Sequence, residues 1–333
     1  VERRKPSEWR ETAWLGERWA VSVTPSGTVL TETRAGTRVL PPRGAAFVGF
    51  GDPAYAPTVD AERAPAGDAD VADAEPLSSL PGSGREVEAI SRVFRSSGCS
   101  KEDVVTLFSS DATKFNLTPE LLQRAGYLHL SCHGTAGKAV HPDGALYLAA
   151  ADSSDSGVLT AGEIAQLQTG ARLVVMSACE TARGVLARGE GVQGMVRAWL
   201  FAGAESVIAS VWEVDDESTT LLMEELYRRL LEGASTRQAL AAAKRQLIAD
   251  SRWGHPSYWA AFVLVADAEE RRASARAPVT LNEPALASRM ALDCEGPPSE
   301  TIAAISACAS AWDSRSKGKA LAFQTFLDAA RKL

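Results

Sequence analysis

Apolar residues in this chain fall into two rhythms, short unbroken runs and helix-spaced stripes, and their alternation predicts an α/β protein. Residues 45–50 (AAFVGF) form an apolar run stopped by Gly51-Asp52-Pro53, the pattern of a first buried strand. Residues 84–94 place Val87, Ile90 and Val93-Phe94 at the spacing of an amphipathic helix. Residues 104–108 and 127–132 read as strands, 118–126 as part of a helix, and 146–149 as a short strand. Thr160 with Glu163 three positions later is a helix-start pattern, predicting a helix over 160–168. A strand at 172–177, a helix at 191–202, a strand at 206–211, helices at 216–232 and 235–250, and a strand at 260–265 complete the series. Strands separated by helix-length segments imply a mostly parallel central sheet covered on both faces.

The flanks differ from this body. Residues 19–23 and 28–33 surround Pro25-Ser26-Gly27 and read as strand, turn and strand within an N-terminal segment, 1–44. The core is expected over 45–267. Within it, residues 52–79 carry seven acidic residues against Arg63 and read as a solvated, flexible acidic loop. Residues 268–284 are charged and Pro-punctuated, a linker, and 285–333 are Ala-rich with the pattern of a small helical hairpin.

Composition narrows the class. The 333 residues are 45% hydrophobic and 23% charged, ordinary for a folded chain. A net charge of −7 removes the electrostatic case for nucleic acid as a partner. No stretch approaches the roughly 20 apolar residues needed to span a bilayer, so no membrane association is expected. The charged start Glu2-Arg3-Arg4-Lys5 is followed by no apolar segment, so a signal peptide is either absent or removed before Val1. Five scattered cysteines (Cys99, Cys132, Cys179, Cys294, Cys308) do not build a disulfide scaffold, and cytoplasm is the default compartment.

Two strand ends carry reactive groups: YLHLSCHG, ending in His133-Gly134, and LVVMSACETARG, containing Cys179. In open α/β sheets the carboxyl edge of the strands is where ligands bind. A thiol with an ordinary pKa of about 8.5 needs a base to become a nucleophile at neutral pH, and an imidazole can take that proton and return it to a leaving amine. Gly134, having no Cβ, and the Cys179 amide would suit an oxyanion hole. The bland alternatives are a buried small thiol and a His-Gly turn. Zinc fits poorly: Cys132 and His133 point to opposite faces of an extended segment, and His129 lies roughly 13 Å from His133 at about 3.3 Å per residue. His129 and Cys132 read as core, His141 as a loop residue, and His255 as part of a turn. No metal or other cofactor is expected.

The ordered set LHLSCHG, LYLA, LTAGEIAQL, LVVMSACETARG, GEGVQGMVRAWLFAGAESVIASVWEVDD and HPSYWAAFVL resembles the CHAT family. These are caspase-like peptidase domains of the clan of caspases, separases and gingipains, often joined to tetratricopeptide repeats. The resemblance covers about residues 15–265. It implies a caspase-like three-layer sandwich with a mostly parallel sheet, His133 as base, Cys179 as nucleophile, and the Gly134 and Cys179 amides as oxyanion donors. The segment around Asp215-Asp216 is similar to the one in separases that bears an acid at the base of the primary specificity pocket, with Asp216 the better match and Asp215 its neighbour. Either acid would take a substrate Arg or Lys, and a helix N-cap is the competing role. The resemblance further implies an endopeptidase acting on protein substrates and controlled by a partner or by processing, with the 52–79 loop one place for a cut. The C-terminal hairpin is similar to tetratricopeptide-type repeats and is the expected dock for a regulatory protein; Cys294 and Cys308 would pair only in an oxidising setting. An inactive caspase-like interaction module and a thiol acyltransferase are the rival readings.

Overall fold

The computed structural model describes residues 14–23, 46–55, 77–135, 141, 143–152, 154–180 and 190–265. The second half of the N-terminal strand pair, residues 56–76 of the acidic loop, the linker, and the C-terminal hairpin with Cys294 and Cys308 lie outside the described residues.

The elements run α1 (Leu15–Arg18), β1 (Ala46–Pro53), α2 (Pro81–Ser96), β2 (Val104–Ser109), α3 (Pro119–Arg124), β3 (Ala125–Leu130), β4 (His133–Thr135), β5 (Ala145–Tyr147), β6 (Val158–Thr160), α4 (Ala161–Gln166), β7 (Leu173–Met176), β8 (Cys179–Glu180), α5 (Glu190–Ala202), β9 (Ser206–Ser210), α6 (Asp216–Leu231), α7 (Thr236–Ala249) and β10 (Phe262–Val265). Six strands form the main sheet in the order β10-β9-β7-β3-β1-β2. Every pairing in it is parallel except β9 with β10.

The apolar runs are continuous because both faces of the sheet are covered. Phe47, Tyr127, Leu173, Val175 and Ile208 face one core with Val87, Ile90 and Phe94 of α2 and the apolar stripes of α6 and α7. The intervening residues Val48, Leu128, Val174, Met176 and Val207 face a second core with Leu122 of α3, Ile164 of α4 and Trp199 of α5. This is the three-layer sandwich expected. α2 lies hard against β1: a Cβ at Gly49 would stand 2.6 Å from Val87 Cγ1. The capping box foreseen at Thr160 and Glu163 is present at the start of α4.

The chain leaves β1 for β2 on one side and returns to place β3 on the other. The carboxyl ends of β1 and β3 therefore flank the point where the winding reverses, the usual position of a ligand crevice in such sheets. No helix among the described residues is long and apolar enough to cross a membrane.

One half-buried cation has a measurable consequence. Lys244 of α7 donates from Nζ to the Phe262 carbonyl at 2.6 Å, and desolvation pulls its ammonium down to about 8 from 10.5. The unfolded chain then holds more protons than the folded one between those two values, so this group adds stability as pH rises through that window. Below about pH 8 it carries a constant penalty on the order of 3 kcal/mol, partly offset by the carbonyl bond. Urea midpoints of wild type and Lys244→Met are therefore expected to converge as pH rises from 8 to 10.5, wild type gaining on the variant. A difference that stays flat over that window would contradict the assignment.

Candidate active site

β3 and β7 are neighbours in the main sheet, and both run past it. After Ser131-Cys132 the first continues as β4; after Ser177-Ala178 the second continues as β8. These extensions pair in parallel within a second sheet of order β6-β5-β4-β8, with His133 opposite Cys179 and Gly134 opposite Glu180. Register partners on adjacent strands lie about 4.8 Å apart in the hydrogen-bonding direction. The two residues singled out from separate strand ends are thus brought side by side.

His133 is 7% exposed and its ring is fixed from several sides. Nε2 lies 2.8 Å from the Ser78 carbonyl. A carbonyl only accepts, so Nε2 carries the hydrogen and Nδ1 is the nitrogen left for proton transfer. The His133 amide donates to Tyr55 Oη at 3.0 Å, and that hydroxyl donates to the Tyr147 carbonyl at 3.2 Å. The Tyr55 ring sits against the imidazole with centroids 5.0 Å apart. Burial pushes the Tyr55 phenol far above its ordinary value, which keeps it a neutral donor.

The Ser78 carbonyl is itself held in place. Leu80 N–H donates to Asp52 Oδ1 at 3.0 Å, Asp52 N–H donates to Ser83 Oγ at 2.7 Å, and the Ser83 hydroxyl donates to the Leu80 carbonyl at 2.9 Å. Asp52 sits at φ 43°, a left-handed conformation that Asp tolerates better than most residues. The acidic stretch read as a solvated loop thus has both ends, Asp52 to Tyr55 and Ser78 to Leu80, built into the site.

Gly134 answers a packing demand. A Cβ there would stand 3.1 Å from Ala178 Cβ and 3.4 Å from Leu146 Cδ2. Ser210 of β9 donates to the Ala178 carbonyl at 2.7 Å, tying the segment before Cys179 to the next core strand.

The paired acids separate cleanly. Asp215 is the N-cap of α6, its Oδ1 accepting from Ser218 N–H at 2.9 Å. Asp216 begins the helix with its side chain 63% exposed, and Oδ2 lies 3.8 Å from Arg85 of α2. The same carboxylate crowds Gly82, where a Cβ would come 1.8 Å from Oδ2. Desolvation raises the Asp216 carboxyl above the usual carboxylate range; Arg85 opposes this, and Asp215, Glu86 and Glu213 reinforce it. Asp216 is therefore an exposed acid paired with an internal arginine at the start of α2.

His129 and Cys132 are buried, at 0% and 2% exposure, as their reading as core requires. His255 caps the short 3₁₀ turn Pro256–Tyr258. Sequence reasoning missed Tyr55, Ser78 and Glu86. A backbone carbonyl leaves no mark in a sequence. Glu86 did leave one, an acid one turn before Ile90 on the buried face of α2, where it is 4% exposed.

The family model described as CHAT domain matches residues 3–267. Tetratricopeptide repeat protein 28 of Mus musculus is 31% identical over 108 residues, and that of Homo sapiens 32% identical over the same length. Those matches cover 32% of this chain and 4% of each relative, so the chain spans a small part of their length. Among solved structures, the Saccharomyces cerevisiae separase–securin complex aligns with 75% of this chain and 14% of that one, at TM-score 0.44 and 13% identity. The Arg-specific cysteine proteinase gingipain R aligns with 72% of this chain and 51% of that one, at TM-score 0.42 and 12% identity. With the family model spanning the whole described fold from α1 to β10, this chain belongs to the CHAT domain family.

Proposed function

We propose that the chain is a cysteine endopeptidase that cuts protein substrates after Arg or Lys. The observation that supports this most is the register pairing of His133 with Cys179. In the proposed cycle the Cys179 thiol passes its proton to His133 Nδ1, while the Ser78 carbonyl on Nε2 holds the ring and stabilises the imidazolium. The thiolate attacks the scissile carbonyl carbon, and the oxyanion rests on the Gly134 and Cys179 amides. His133 returns the proton to the departing amine, leaving a thioester. A water molecule, deprotonated by His133, then releases the carboxylic acid and restores the thiol. Asp216 pairs with the basic side chain before the cut, in competition with Arg85. Control by a protein partner or by processing within 52–79 belongs to the same proposal; the curated relatives are named for tetratricopeptide repeats.

The test is a set of peptides alike except for Arg, Lys, Asp or Leu before the cut. Cleavage is expected after Arg and Lys. Preferential cleavage after Asp or Leu would overturn the specificity, and acyl transfer to an added amine outrunning hydrolysis would favour acyltransfer. No cleavage in any partner condition would favour an interaction module.

A further inference from the structure

β8 is two residues long, and its ladder with β4 consists of two register pairs. So short a ladder cannot set its own register, because ordering each residue costs at least as much as a ladder bond returns. The β3–β7 ladder delivers the two strand ends in the same register, and a contact beneath them would keep them level beyond the main sheet.

Glu86 stands at that place. From α2 its carboxylate reaches under both ends: Oε2 accepts from Ser131 Oγ at 2.6 Å and from Ser177 Oγ at 3.2 Å. Ser131 is the first residue beyond β3 and Ser177 the first beyond β7, and each precedes His133 or Cys179 by two positions. Oε1 lies 3.1 Å from His129 Nε2, and His129 Nδ1 lies 3.2 Å from Tyr227 Oη. The donor count closes with a neutral imidazole. Tyr227, whose phenol burial holds well above its ordinary value, donates to Nδ1, and Nε2–H donates to Glu86. The carboxylate thus accepts three hydrogen bonds, from two strand ends and one strand interior. A hydrophobic residue would fill this place at lower desolvation cost, but it would join nothing.

We propose that Glu86 is a positioning residue: its carboxylate, through the Ser131 and Ser177 hydroxyls, fixes the register of β4 against β8 and so of His133 against Cys179. The catalytic consequence rests on the function proposed above; the clamp itself does not. Glu86→Gln keeps the shape and one acceptor oxygen but turns the other into a donor, so it cannot accept all three bonds. Ser131→Ala with Ser177→Ala removes the two strand bonds and leaves Glu86 in place. Tyr227→Phe removes only the far hydroxyl and serves as the control.

Two readouts on the full chain decide the matter. The first is hydrogen exchange by mass spectrometry over 131–135 and 177–180, with β1 and β9 as internal references. The second is the pH profile of Cys179 alkylation by iodoacetamide, resolved by peptide. Glu86→Gln and the double serine variant are expected to speed exchange in both segments together by about tenfold or more, with β1 and β9 unchanged. Cys179 reactivity should move toward that of an ordinary thiol near pH 8.5. Tyr227→Phe should do neither. Exchange unchanged, raised in one segment alone, or raised throughout in both variants would overturn the clamp. A Cys179 profile shifted in wild type and unmoved in Glu86→Gln would overturn its positioning role. If both segments loosen while wild-type Cys179 already behaves as an ordinary thiol, the clamp stands and the catalytic reading falls.

Discussion

Cys179→Ala is expected to lower cleavage of Arg- and Lys-containing peptides at least about 10⁴-fold while leaving the unfolding transition within about 1 kcal/mol of wild type. The first half follows from chemistry, since no other group in the paired strands can form the thioester. The second follows from architecture. β8 lies outside the six-stranded sheet. His133→Ala should lower turnover by about 10²–10⁴-fold, the usual worth of a general acid–base, and should also reduce stability. Its ring is buried, bonded to Ser78 and packed against Tyr55, so removal leaves a cavity and an orphaned carbonyl. A Cys179→Ala variant that still cleaves at the wild-type rate would exclude thiol catalysis.

Asp216→Asn is expected to lower kcat/KM for Arg and Lys peptides by about 10²-fold or more, the range measured when one partner of a close charge pair is removed. Stability should not fall. Asp216 sits among Asp215, Glu86 and Glu213, which disfavour its charge, and its pair with Arg85 is exposed and weak. Asp215→Ala should show the opposite pattern, losing about 1 kcal/mol of stability with the N-cap and leaving specificity alone. The pH dependence follows from the sign of the shift. Because the Asp216 carboxyl is raised, it is neutralised earlier on acidification than an ordinary aspartate, and preference for basic peptides should fade correspondingly early. Equal losses from Asp215 and Asp216 would contradict the division of roles.

The order of elements was readable because the inner strands β1, β3, β7 and β9 are buried on both faces and so appear as apolar runs, and because α4 announces itself through Thr160 and Glu163. Of the second sheet only β5 was readable, within the short strand at 146–149. Its strands are two or three residues long, too short for any period, and the pairing of β4 with β8 joins residues far apart in the chain. Asp215 and Asp216 looked alike for a related reason: either could precede a helix, and only the bond to Ser218 shows which one caps it. Glu86 was passed over because a charged residue within an amphipathic stripe is ordinarily solvated. Its burial depends on Ser131 and Ser177, which are 45 and 91 residues away.

The most direct test of the central claim is covalent trapping. A peptidyl acyloxymethyl ketone ending in Arg should label the wild-type chain once, on Cys179. Labelling should be faster than with the Asp or Leu analogue and should slow by two orders of magnitude or more, roughly, in His133→Ala. Labelling spread over Cys99 and Cys132, or on Cys179 at a rate indifferent to His133, would contradict the pairing of these two residues as a catalytic unit.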